Sequence, residues 1–513
     1  MRPNRLAGLL LVGALCTWMA LAPRQDAAAP SRLDAEFYFH HDHILGTSLD
    51  VWLIARDETE SAAVEDAILT EIERLRRIFS LYDPESELSR LNRTRAPMGV
   101  SPEMIEVLRS YERFQACSSG AFNGQLGALV RVWQEAEKSQ CEPDDATVSR
   151  IVQEIRAPGW RLDETTGTVI RLTDQPLNLN SIAKGYIIQK AADAARRKVG
   201  AVRGLLLNLG GDMFAWDEAA RGWLVGVQNP RAPHDNAEPI ARVRLRDRAI
   251  ATSGGYERYY TIGAKRHSHI FDPRTGRSAQ GAAGATVIAA DNVTANALAT
   301  TLCVLSPEEG LRLVASFPGV ECLLVGRDGR QFRSPGFAAF EAIPEAGGAV
   351  GGDKKEAEKK GDAWPEGFQV NLTVSLPSVA SKRYRRPYVA IWVENGEAKP
   401  VRTITVWGNN PRWVKDLPQW WKFAKNDSAL VKAVTRATRS PGKYTLVWDG
   451  KDDKGAALPR GTYTIYVEVH REHGKLVRQT GKLTCDVEPA TLTLDKNAET
   501  GDTLIEYAKK KAP

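Results

Sequence analysis

Residues 267–276 read HSHIFDPRTG, placing two histidines, an aspartate, an arginine and a threonine around one proline and a closing glycine. Asp272-Pro273 followed by Gly276 is turn chemistry, because proline fixes φ and glycine accepts φ > 0, while His269-Ile270-Phe271 reads as the end of a strand. A loop this dense in hydrogen-bonding groups is where binding and catalytic residues concentrate. Taken alone it reads equally as a capped surface turn with a solvated arginine. Four further stretches carry comparable signals. LNLNSIAKGYIIQKA (177–191) reads as strand, Ser-Ile-Ala-Lys-Gly turn and helix, which aims free backbone N–H groups and Lys184 at an anion. LLLNLGGDMFAW (205–216) sets Gly210-Gly211 between a buried strand and Asp212, where missing side chains admit a ligand to the backbone or simply allow a tight turn. IATSGGYERYY (250–260) follows a strand with the hydroxyls of Thr252 and Ser253, two glycines and aromatics. VTANALATTLCVL (293–305) reads as a helix with Asn296 and Thr300 four apart, hence on one face.

These stretches have to be positioned by a chain of 513 residues, too long for one ordinary domain. A hydrophobic content of 43% with 26% charged residues is that of a globular protein. Residues 1–29 begin with Arg2 and Arg5, continue through an apolar run and end in small residues, which predicts an export signal peptide, cleaved or retained as an N-terminal anchor. PEAGGAVGGDKKEAEKKGD, within which 344–362 is assigned as a linker, cannot bury a core and separates two textures. Before it, in 35–343, strands such as SLDVWLIA, GTVIRLT, GLLLNLGG and GATVIAA alternate with amphipathic stretches at Ala62–Phe79, Pro102–Cys117 and Ile182–Lys198, an α+β or α/β pattern. After it, in 363–490, short alternating strands (FQVNLTVSL, RPYVAIWVE, YTLVWDG, TYTIYVEVHRE) predict an all-β, immunoglobulin-like sandwich with little helix beyond Asp427–Thr438, and 491–513 reads as a tail. Seven of the thirteen tryptophans fall after the linker and read chiefly as sandwich core.

The formal net charge of +6 is mild, and residues 361–513, with 25 Lys/Arg against 17 Asp/Glu, hold the whole excess. No nucleic-acid motif is present. Cys117, Cys141, Cys303, Cys322 and Cys485 form no zinc spacing and read as buried small apolar residues.

Taken together and in this order, LNLNSIAKGY, LNLGGD, ATSGGYERYY, HSHIFDPRTG and TANALATTL closely resemble the flavin transferases of the ApbE family, as do YDPESELSRLN (82–92) and SSGAFNGQLGALVRVW (118–133). The resemblance implies an α+β domain whose cleft holds FAD, with magnesium on its pyrophosphate. FMN would be transferred from FAD to a threonine hydroxyl of a target redox protein, one that is membrane-associated, with release of AMP. It implies that His269 lies beside the reacting phosphate as a base and that Asp272 orients the loop or the incoming hydroxyl. Arg274 would pair with phosphate or lock the turn. Lys184 and the backbone carbonyl of Ala183 would sit on the pyrophosphate and metal side, with Asn296 and Thr300 as further metal ligands. Gly210, Gly211 and Asp212 would line the cofactor cleft, Thr252 and Ser253 would touch the flavin portion, and Tyr82 would stack on a ring. The chain departs from the family in one direction: Asn296, Asn123, Asn178 and Gly255 stand where aspartate is usual, and Asn180 where glycine is. An amide oxygen carries no net charge for a hard cation, so a non-catalytic exported FAD-binding protein is a second reading. A third is a cell-envelope interaction protein that works through its sandwich. The sandwich itself looks like modules fused after ApbE-type domains.

Overall fold

The computed structural model describes residues 35–510 except 199–201, 220, 233, 257, 343–362, 378–385, 409–413, 428–429, 432–433, 437, 440 and 473. The expected signal segment and linker lie outside the described residues. Among the described residues no helix is long and apolar enough to cross a membrane.

The first domain is built on one antiparallel sheet of eight strands. In chain order they are β1 (Ala35–Ile44), β2 (Thr47–Ala55), β3 (Val202–Leu209), β4 (Asp212–Asp217), β5 (Arg248–Gly254), β6 (Gly284–Ala289), β7 (Glu321–Val325) and β8 (Gln331–Arg333), and they lie side by side in that same order. Period-2 alternation splits each central strand between two faces. Leu205, Leu207 and Leu209 of β3 join a core with helices α1 (Glu58–Phe79), α2 (Pro102–Cys117) and α5 (Asn180–Arg197). Leu206, with Ala215, Ile250 and Ile288 of the neighbouring strands, packs on a hairpin of Trp223–Val227 and Ala241–Leu245 on the other face. Helices α3 (Gly127–Ser139) and α4 (Asp145–Ile155) precede α5, and α6 (Asn292–Val304) follows β6. Helix α6 is buried almost all round, with Asp291 capping its start through Thr294 N. The α+β expectation is therefore met by an antiparallel sheet with helices gathered mainly on one face.

The second domain is a pair of sheets, one ordered β13-β9-β17-β16 and the other β12-β11-β10-β14-β15. Its strands are β9 (Phe368–Leu376), β10 (Tyr388–Glu394), β11 (Pro400–Trp407), β12 (Thr435–Arg436), β13 (Gly442–Trp448), β14 (Gly461–His470), β15 (Leu476–Cys485), β16 (Ala490–Leu494) and β17 (Thr503–Lys509). Strand β9 buries every second residue from Phe368 to Leu376, the pattern of a strand with one face in a core. Trp392, Trp407, Trp420 and Trp448 are fully buried, as a core role for the tryptophans requires, whereas Trp413 lies outside the described residues.

Three expectations are corrected here. The tail assigned to 491–513 supplies β17, which pairs with both β9 and β16 and buries Ile505 and Tyr507, so the sandwich continues through Lys509. The helix expected over Asp427–Thr438 is interrupted by β12, which pairs in parallel with Val406-Trp407. The sandwich's well-formed helix is instead α7 (Pro418–Ala424), set on the outer face of the five-stranded sheet. Of the five cysteines among the described residues, Cys303, Cys322 and Cys485 are buried, but Cys117 at the end of α2 and Cys141 after α3 are exposed, and all five are free.

Helix α7 explains a buried charge. Glu468 of β14 is fully buried, accepts the N–H groups of Gln419 and Trp420 at the start of α7 at 3.3 and 3.1 Å, and receives Arg478 at 3.2 Å. The carboxylate thus serves as an N-terminal cap supplied from another strand. Glu468→Leu strands both N–H groups and the guanidinium, and we expect a loss of roughly 3 kcal/mol, read as a lower unfolding midpoint of the sandwich in calorimetry. An unchanged midpoint would show that water replaces the carboxylate without cost.

Candidate functional site

The sheet, α5 and α6 meet at one buried carboxylate. The β3–β4 turn at Gly210-Gly211 has φ of +54° and +93°, the left-handed region that glycine tolerates. A Cβ on Gly210 would lie 2.4 Å from Thr47 Oγ1, so the β1–β2 hairpin leaves no room for another residue there. Directly after the turn Asp212 is buried, and its Oδ2 receives Lys184 Nζ at 2.8 Å and Asn296 Nδ2 at 2.8 Å. Lys184 also donates to Gly210 O at 3.0 Å. Burial raises the Asp212 carboxyl above its ordinary value, and the nearby Lys184 ammonium opposes that shift. Ser253 Oγ stands 3.4 Å from Thr300 Oγ1 on the α6 face at the end of β5, whereas the Thr252 side chain turns to the opposite face, its Oγ1 2.9 Å from Thr286 Oγ1. Ala183 is buried in the turn of α5 just before Lys184. The structure thus gathers Ala183, Lys184, Gly210, Gly211, Asp212, Ser253, Asn296 and Thr300 at one end of the central strands, with the Thr252 side chain on the opposite face of the sheet.

The local geometry of LNLNSIAKGY differs from the expectation. Helix α5 already starts at Asn180, so Ser181–Gly185 are helical and no separate turn precedes them. Its first N–H groups are partly used within the chain: Asn180 N donates to Asn178 Oδ1 and Ile182 N to Leu179 O. The anion-facing group here is the Lys184 ammonium rather than an open helix terminus. Gly185 has a role the sequence reading missed. A Cβ there would stand 2.5 Å from Asn292 O and 3.0 Å from Asn296 Cβ, so the glycine is what lets α5 and α6 cross closely enough for Lys184 and Asn296 to share one carboxylate.

The HSHIFDPRTG loop forms a second, self-supporting group. Asp272 takes Arg274 bidentately at 2.9 and 2.8 Å, accepts Arg274 N, and gives its carbonyl to Gly276 N at 2.7 Å. Of the two roles expected of Arg274, the structure therefore displays the turn lock. Gly276, at φ +68°, fits under Val148 and Val152 of α4, and its carbonyl accepts Trp133 Nε1 at 3.1 Å. His267 packs against Trp133 with ring centroids 4.9 Å apart and planes tilted by 42°, a packing role. His269 Nδ1 lies 2.9 Å from Arg258 O, which makes Nδ1 the protonated nitrogen and leaves the Nε2 lone pair available. Burial holds this imidazole below its ordinary value of 6.5. Tyr82 is 93% exposed, and no ring contact joins it to either group of residues among the described residues. No hydrogen bond joins His269 to the Asp212 group. The two halves approach through Gly255, where a Cβ would meet Ser268 Oγ at 2.7 Å. That contact accounts for glycine where a larger residue would have been expected.

Two of the other departures also have local causes. Asn123 accepts Gln125 N and donates to Ile155 O, a pairing an ionised aspartate cannot make. Asn296 likewise donates to Asp212, where a second carboxylate would repel. Among the described residues no three His, Cys, Asp or Glu side chains come together as a metal site. The donors present are the neutral oxygens of Asn296 and Thr300 beside one lysine-paired carboxylate. Such a set fits a magnesium ion that takes most of its ligands from phosphate and water, not one caged by protein.

Residues 45–324 match the model of the ApbE family. The chain belongs to that family. Residues 369–502 match a second model, the predicted periplasmic protein family DUF2271. Relatives of the ApbE region include the FAD:protein FMN transferases of Klebsiella pneumoniae (strain 342), 27% identical over 58% of this chain and 91% of the relative, and of Treponema pallidum (strain Nichols), 30% identical over 58% and 87%. Among solved structures, the ApbE protein of Thermotoga maritima superposes with a TM-score of 0.55 at 27% identity, covering 60% of this chain and all of that one. The match spans every residue of both halves of the cleft. Gly185→Ala should press α5 away from α6 at a cost of about 1–3 kcal/mol, seen as a lower thermal midpoint. A midpoint equal to the wild type would show that the helices do not meet at this glycine.

Proposed function

We propose that this ApbE-family chain is an FAD:protein FMN transferase that moves FMN from FAD to a threonine hydroxyl of a target protein, with release of AMP. The observation that carries the reading is the family match over residues 45–324, which contains the whole cleft. FAD would lie with its pyrophosphate toward Lys184 and the Gly210-Gly211 turn and its flavin toward Thr252 and Ser253, with Tyr82 free to stack at the rim. Asn296, Thr300 and the Ala183 carbonyl would hold magnesium, which would supply neutralisation of phosphate charge there. The acceptor hydroxyl oxygen forms a bond to the FMN phosphorus, the bond to the bridging oxygen breaks, AMP leaves with that oxygen, and the hydroxyl proton passes to His269 Nε2. Asp272 and Arg274 hold the loop that presents the imidazole. The acceptor is proposed to be a membrane-associated redox protein, and the DUF2271 match supports a periplasmic setting.

Purified protein with FAD, magnesium and a threonine-bearing acceptor should yield acceptor heavier by one FMN in mass spectrometry. Bound FAD without any adduct would favour a non-catalytic flavin carrier, the reading that the neutral Asn296 motivates. His269→Ala should keep FAD affinity close to wild type and lower transfer by roughly 10²–10⁴-fold. Equal losses of affinity, stability and transfer would make the histidine a strut instead. Because burial lowers the His269 pKa, the neutral base persists as pH falls to 6.5. Transfer should therefore hold there and decline only at lower pH. A decline centred above 6.5 would point to another base.

A further inference from the structure

The sandwich is bound to the first domain by polar contacts. Asp235, on the segment between Val227 and Ala241, accepts Trp407 Nε1 at 2.6 Å and pairs with Arg439 at 2.8 Å, and Asn236 makes two hydrogen bonds to the backbone of Val447. Asn236 thereby covers the edge of β13, which would otherwise present unpaired backbone groups. A second contact has a different character, because it continues inward. Arg386 of the sandwich donates to Thr438 O at 3.0 Å and to Asp42 Oδ1. His40 Nε2 stands 3.4 Å from that same Asp42 oxygen, and His40 Nδ1 donates to Asp50 Oδ1 at 2.5 Å, where Tyr38 OH also donates at 2.7 Å. Asp50 lies opposite Asn208 in the β2–β3 register, and Asn208 Nδ2 donates to Asp50 Oδ2 at 3.3 Å. Asn208 Oδ1 then accepts Gly211 N at 2.9 Å, within the turn that precedes Asp212. The side chains of His40, Asp50 and Arg386 are each about nine-tenths buried.

We propose that this file of hydrogen bonds, from Arg386 through Asp42, His40, Asp50 and Asn208 to the Gly211 amide, is a positioning relay by which the docked sandwich fixes the Gly210-Gly211 turn. Asn208 is the positioning residue at its cleft end. An asparagine suits that place because it must donate to Asp50 and accept from Gly211 at once. The turn it holds also supplies the carbonyl that Lys184 uses, so a shift at Gly211 reaches the lysine and the carboxylate it shares. The DUF2271 domain then has a role within the chain: it sets the shape of the cleft edge while remaining outside the chemistry. The effect on ligand rests on the reading that this turn faces FAD.

The test is a double-mutant cycle in the full chain with Arg386→Met and Asn208→Ala, read both by hydrogen exchange of a peptide covering 205–213 and by FAD affinity. Arg386→Met alone should speed exchange at Gly211 and weaken FAD binding about fivefold or more. It should add little once Asn208→Ala has cut the path. Additive effects, or unchanged exchange at Gly211 in Arg386→Met, would overturn the relay. Where Arg386→Met lowers the melting midpoint of the sandwich, Asp42→Asn takes its place in the cycle, since it weakens the same link from the first domain. A protein whose Gly211 exchange responds in this way but which binds no FAD would sink the transfer reading and leave the relay standing.

Discussion

The Asp212 carboxylate sets the terms for the rest of the cleft. Buried at the end of a glycine turn, an unpaired carboxylate would cost several kcal/mol, so cationic and hydrogen-bonding partners have to reach it from outside the sheet. Lys184 arrives from α5 and Asn296 from α6, each at 2.8 Å. Both can arrive only if the two helices cross in near-contact, and Gly185 is the residue that permits the crossing. A single electrostatic requirement therefore ties together the turn between β3 and β4, the start of α5 and the middle of α6. The residues that meet it lie more than a hundred positions apart in the chain.

The cleft has a second half that is built independently. The Asp272–Arg274 lock, the Gly276 turn under α4 and the Trp133 hydrogen bond give the HSHIFDPRTG loop its shape without help from the Asp212 group. An arginine already held bidentately by an aspartate is a poor candidate for clamping phosphate, because a ligand would first have to displace a charge-assisted pair. That leaves the Lys184 ammonium as the cation of the Asp212 group, while His269 offers its Nε2 lone pair on the other loop. The two halves share one hydrophobic core, which Ile270 of the loop enters together with Ala183, Leu209, Ala251 and Ala297, and they also approach where Gly255 faces Ser268.

Much of this was legible in the sequence, and the misses have particular causes. Apolar strand runs located β2, β3 and β6, polar–apolar alternation located β9, and the 3.6-residue period located α2 at both of its ends. The cleft residues were found because their motifs occur in a family order. The Ser-Ile-Ala-Lys-Gly segment reads as a turn in the sequence, yet its glycine answers to packing against Asn292 rather than to backbone freedom. Strand β17 was read as tail because DTLIEYAKK is short and lysine-ended. Only its pairing on both sides makes it interior. The exposed Cys117 and Cys141 sit at helix ends, where periodicity carries no information about burial. Gly185 left no signal separable from that turn reading.

The substitutions of amide for carboxylate are the sequence feature whose meaning changes most once partners are known. As departures from a metal-binding pattern they look like losses. In the fold, Asn123 and Asn296 each use an N–H that aspartate lacks, the first to hold the end of α4 and the second to support Asp212. The charge removed at position 296 is matched by the lysine-paired charge retained at 212, so the cleft keeps one carboxylate where two would stand in contact.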